Sequence, residues 1–180
     1  MVDILTTALL LLCLAGAMIT DLRAHRIPNA LVLTGALAGL LLAGLTPGGI
    51  GFLRALGGLV LGLAMFLPMY LLRAMGAGDI KLMAMTGAFL GFPAIAEAAL
   101  WVLLAGGALA LAFALRRGVA RRMAGNLRDM LFSAAASVQI RALPDFSAGP
   151  QTAARLPYAV AIALGVGAFL LARRLGLHLI

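Results

Sequence analysis

Ile4-Leu5-Thr6-Thr7-Ala8-Leu9-Leu10-Leu11-Leu12-Cys13-Leu14-Ala15-Gly16-Ala17-Met18-Ile19-Thr20-Asp21 is an uninterrupted apolar run that ends on an acid. Its length approaches the ~20 residues that carry a helix across the hydrocarbon core of a bilayer. A secretory signal would need a basic segment before it. No Lys or Arg precedes the run and Asp3 carries the opposite sign, so it reads as a retained first helix. Working outward, similar runs over roughly 29–46, 54–72, 79–92, 94–115 and 157–172 bring the expected number of spans to about six. Turn signals at Thr46-Pro47-Gly48-Gly49 and Gly91-Phe92-Pro93 separate them. The expected fold class is all-α: a polytopic membrane helix bundle with about six transmembrane helices and one cytoplasmic amphipathic helix. Residues 1–180 are expected to form a single integral-membrane domain.

Composition supports this. The chain is 64% hydrophobic and 11% charged, whereas soluble domains carry about 25% charged residues. A net charge of +8 raises the question of nucleic acid. Basic and aromatic residues do not interleave on any polar face, however, so no nucleic-acid partner is expected. The charge is topological instead. Most of the 14 Lys and Arg residues fall in 22–28, 73–81 and 116–156, and such loops face the cytoplasm. The N-terminus is then outside, and Asp21 and Asp79 lie at the cytoplasmic face. Arg54, Arg173 and Arg174 fall on the other side, where long basic side chains snorkel to the interface. Glu97 falls there too and reads as an interfacial residue.

Residues 116–156 read as a basic cytoplasmic loop. Within it, Leu127, Met130, Leu131, Ala134 and Val138 recur at helical spacing, which predicts an interfacial helix over 126–146. The preceding Arg116-Arg117 and Arg121-Arg122 suit anionic headgroups of the bilayer. Cys13 is the sole cysteine and lies in the first span. It reads as a packed thiol; no disulfide, metal site or cofactor is expected.

Only six residues are acidic. Two of them, Asp21 and Asp79, stand at span ends on one face, and ionisable groups at membrane depth are functional candidates. Two carboxyls that share a proton can hydrolyse a peptide. The ionised member takes a proton from water while the neutral one polarises the scissile carbonyl. Asp79 lies in Gly76-Ala77-Gly78-Asp79-Ile80-Lys81-Leu82-Met83. Gly76 and Gly78 lack a Cβ and would permit a tight turn and close approach of a substrate main chain. A Val at Gly78 would then resist positive φ and fill substrate space, while a Val at Gly49, in the opposite turn, should be mild. Lys81 reads as an interfacial anchor. Pro28 and Asn29 read as a helix start that holds its loop close under Asp21. A small proton-coupled transporter could use the same acids, but it would want them near mid-membrane in broken helices.

Asp21-Leu22-Arg23, Arg26-Ile27-Pro28-Asn29 and Gly76-Ala77-Gly78-Asp79-Ile80-Lys81-Leu82 together resemble the type IV prepilin peptidases and the related preflagellin peptidases. Pro157-Tyr158-Ala159-Val160-Ala161-Ile162-Ala163 is similar to that family's last helix. The resemblance implies that Asp21 and Asp79 are a catalytic aspartyl pair, with no metal or cofactor in the cleavage. It implies prepilin and pseudopilin substrates, cut after a glycine between a short basic leader and an apolar helix. It further implies a bacterial inner membrane location with the active site facing the cytoplasm. Longer members carry paired cysteines in a zinc-binding segment that serves N-methylation. With one cysteine, this chain looks like the short, peptidase-only form that serves Flp or tight-adherence pili.

Overall fold

The computed structural model describes residues 4–71, 75–116 and 158–177. Six α-helices and no strands occur among them: α1 Ile4–Ala24, α2 Asn29–Leu45, α3 Phe52–Leu71, α4 Ala77–Leu90, α5 Ala94–Arg116 and α6 Tyr158–Arg174. The chain divides into two compact units, one of residues 1–106 with 157–180 and the other of 107–156. The first holds both aspartates. The interfacial helix expected over 126–146 lies outside the described residues.

An all-helical membrane bundle is the observed architecture, with fewer full-length spans among the described residues than the six expected. α1, α3 and α5 are long and apolar enough to cross a membrane, and α2 is a shorter apolar helix of 17 residues. The fourth segment falls short for a physical reason. α4 has 14 residues, about 21 Å at 1.5 Å per residue, against a hydrocarbon core of about 30 Å. It also carries Asp79 and Lys81 in its first turns. α6 ends on Arg173 and Arg174, which shortens its apolar part.

α4 is the centre of the first unit. Its residues from Ile80 to Leu90 are all buried except Lys81. A helix enclosed all round needs neighbours that come very close, and glycines provide them. α3 packs most extensively on α4, α2 next, and α1 and α6 also touch it. On α3, a Cβ built on Gly58 would strike the carbonyl oxygen of Gly87, and one on Gly87 would strike that of Gly58. One turn along α3, a Cβ on Gly62 would stand 2.6 Å from the Met83 carbonyl oxygen. On α2, Gly35 faces the Met85 side chain and Gly39 faces Ala88 and Phe89. Both pairs are Gly-x-x-x-Gly spacings, which let helix backbones approach in a membrane where packing drives association. α5 and α6 use the same device, with Gly165 against the backbone of Trp101 and Val102.

Threonines inside the helices satisfy themselves. Thr20 donates to the Gly16 and Ala17 carbonyls, Thr34 to Ala30 and Leu31, and the fully buried Thr86 to Leu82 at 2.9 Å. An unsatisfied hydroxyl in an apolar medium would cost several kcal/mol. α4 ends at Gly91, whose φ of 72° is a left-handed value that glycine adopts without strain. The Gly49 expectation needs correction here. A Cβ on Gly49 would stand 3.0 Å from the Thr46 carbonyl oxygen, so that turn is itself tight and a Val there is not a neutral change.

Candidate functional site

Three residues are both polar or charged and buried among those described: Asp21, Asp79 and Thr86. Thr86 is satisfied within its own helix, which leaves the two aspartates, each 8% exposed. Apolar residues dominate the rest of the core, so two buried carboxyls need a reason.

Asp21 does not close its helix as the sequence suggests. α1 continues through Ala24, and Asp21 occupies its last turn. The helix stops at His25, which has φ 48° and donates its N–H to the Asp21 carbonyl at 2.8 Å. This left-handed residue turns the chain sharply, and Pro28 then caps α2 in an extended conformation. The Asp21 side chain reaches another helix. Its Oδ2 accepts the backbone N–H of Ala159, at the start of α6, at 3.3 Å.

Asp79 is the third residue of α4. Its Oδ2 accepts the N–H of Gly76, the residue that caps the helix, at 3.1 Å, and its own N–H donates to the Gly76 carbonyl at 3.2 Å. The carboxylate therefore folds back over the positive end of its own helix, a favourable place for a negative charge. Asp21 and Asp79 lie within electrostatic range of each other, and the phenol of Tyr158 lies within range of Asp79. The start of α6 thus adjoins both acids.

The glycines act differently from the tight-turn expectation. Gly76 has φ −78°, and Gly78 is inside α4, so neither is left-handed. Gly76 is small because Asp79 needs the space: a Cβ there would stand 3.1 Å from Asp79 Oδ2. Gly78 is small because Ile27 lies on it, with the Ile27 Cβ 3.2 Å from the place a Gly78 Cβ would take. Lys81 Nζ donates to Asn29 Oδ1 at 3.0 Å, so it ties α4 to the first residue of α2. The loop after Asp21 is thereby strapped across the start of α4 by Ile27 on Gly78 and by Asn29 with Lys81. Sequence reasoning placed Pro28 and Asn29 at a helix start but missed Ile27 and the α6 amide. No local signal marks either, because both contacts join distant segments.

This geometry gives an expected outcome. Gly78→Val would push Ile27 off α4 and misplace one aspartate relative to the other, lowering turnover about tenfold or more. Gly167→Val, where a Cβ meets nothing within 4 Å, should leave it nearly unchanged. The comparison is made by rates at matched membrane levels; equal loss in both would show that the strap does not set the site.

Two buried carboxyls on different helices thus lie within electrostatic range of each other in an otherwise apolar core. Among the described residues no group of three or more His, Cys, Asp or Glu could hold a metal ion. The sequence profile of the type IV leader peptidase family matches residues 8–114. No curated protein and no solved structure matches the chain. The matched stretch includes both aspartates and the strap, and it ends before α6.

Proposed function

We propose, from the premise that the chain belongs to the type IV leader peptidase family, that it is an aspartyl endopeptidase whose catalytic pair is Asp21 and Asp79. The burial of two carboxyls within electrostatic range of each other carries this reading. One aspartate takes a proton from water, the water oxygen attacks the scissile carbonyl, and the other aspartate donates a proton to the carbonyl oxygen. Collapse of the tetrahedral intermediate expels the amine with a proton returned from the pair. Gly76, Gly78, Lys81, Pro28 and Asn29 serve by shaping the site around the acids.

The substrates in this reading are prepilins and pseudopilins of the Flp type, whose basic leader stays in the cytoplasm while the apolar helix packs against the bundle. Loop arginines orient the chain in a bacterial inner membrane with the N-terminus outside and the pair near the cytoplasmic face. The 1–180 chain acts as one membrane domain, with its basic 116–156 segment on anionic headgroups. The proton-coupled transporter has no observation in its favour: Asp79 begins a helix and Asp21 lies in the last turn of another.

Co-expression with an Flp-type prepilin tests the reading, with leader loss scored on a gel. Cleavage is expected to persist in EDTA and in Cys13→Ala, because the hydrolytic groups are carboxyls. Loss of cleavage in EDTA with recovery on adding zinc would overturn the aspartyl assignment.

A further inference from the structure

We infer that the backbone N–H of Ala159, at the start of α6, is a third, positioning component of the aspartyl site and sets the orientation of the Asp21 carboxylate. The inference rests on the reading of Asp21 as catalytic. It concerns a helix beyond the stretch that the family profile matches.

Asp21 sits where its own helix least favours it. It occupies the last turn of α1, where unpaired carbonyls make the negative end of the helix and disfavour a carboxylate. Asp79, by contrast, has the positive end of its own helix. Asp21 must find a donor elsewhere, and α6 offers one. The helix begins at Tyr158, so the Ala159 N–H is in the first turn and has no carbonyl four residues back in the helix. The two deficits meet: Asp21 Oδ2 accepts that N–H at 3.3 Å. This is longer than the usual 2.9–3.0 Å.

Packing shows that the contact is held and not incidental. α6 rests on α1 and α4. Ala159 is fully buried, and Ile162, Val166 and Phe169 on the same helix enter the core beside Leu10 and Leu14 of α1. Holding Oδ2 limits rotation of the carboxylate about Cβ–Cγ, and so fixes where the other oxygen stands relative to Asp79. Tyr158, the neighbouring residue, lies within range of Asp79. A shift of α6 along its axis would therefore alter the surroundings of both acids together.

The test removes one hydrogen atom. Ala159→Pro deletes the N–H at a first-turn position, where helices tolerate proline. An ester in place of the residue-159 amide, made by incorporating lactate, deletes it without the ring. Val160→Pro is the control, since it deletes the next first-turn N–H. The probe is a purified peptide with a basic leader, a glycine and an apolar helix, cleaved by the full-length protein in detergent. Both residue-159 changes are expected to lower kcat about tenfold to a hundredfold with KM within about twofold, while Val160→Pro stays near wild type. A purely structural role predicts otherwise: equal losses at 159 and 160, or a change in KM alone, and either result overturns the proposal. So does an unchanged kcat in the ester. Asp21→Asn runs beside them. If it still cleaves, the catalytic reading of Asp21 fails; if it is inactive while the ester is normal, only the role of α6 fails.

Discussion

Asp21→Asn and Asp79→Asn are each expected to abolish leader removal, by about a thousandfold or more, while the protein still inserts and folds. The amide keeps the size of the carboxyl and an oxygen that can accept the Ala159 or Gly76 N–H, both of which Oδ2 now takes. It cannot exchange a proton, and acid–base transfer is worth about 10²–10⁴-fold at each step. The double variant should be no slower than either single one, because groups that act as a unit are non-additive. Leader cleavage on a gel, with detergent-solubilised yield as the folding control, checks all three. Processing by either single variant would remove that aspartate from the chemistry.

The largest effect on stability is expected from Gly87→Ala. The added methyl would enter the carbonyl of Gly58, and the atoms around it are backbone on both helices. Neither side can rotate away, so α3 and α4 must separate. The expected loss is upwards of about 3 kcal/mol, at the high end for overpacking, with little protein accumulating in the membrane. Gly58→Ala should act likewise. Gly167→Ala meets nothing within 4 Å and should unfold at nearly the wild-type temperature. Thermal unfolding in detergent reads the difference, and similar midpoints for Gly87→Ala and Gly167→Ala would contradict the crossing described.

Much of the fold was legible because lipid-sized apolar runs and their breakers are local signals. The starts of α2 at Asn29 and α5 at Ala94 fall at the expected residues. Helix ends were less legible. α1 runs on to Ala24 because His25 can adopt a left-handed conformation and close the turn, which nothing in the apolar pattern announces. The short length of α4 was legible, since the apolar run over 79–92 already falls short of a full span and the helix has 14 residues. Asp21 and Asp79 stood out as acids in an apolar chain, and the structure brings them into range. The roles of Gly76 and Gly78 were not legible in the same way. Their spacing suggests a turn, whereas their smallness answers to the Asp79 carboxylate and to Ile27. Gly35, Gly39, Gly58 and Gly62 stand at helical spacing, but spacing does not name the helix that each pair will meet.

The backbone crossing of α3 and α4 has a mechanical consequence. Packed helices slide past one another by changing the rotamers of the side chains between them. At Gly58, Gly62 and Gly87 no side chain intervenes, and carbonyl oxygens lie where a Cβ would be. Sliding α3 along α4 would have to carry backbone past backbone, so the two helices are expected to move together. α1 and α6 touch α4 less extensively, and Leu10, Leu14 and Ile162 belong to the core they share with it. Asp79 stands on a helix of that locked pair and Asp21 on α1, so any displacement of α1 would change the spacing of the two carboxyls.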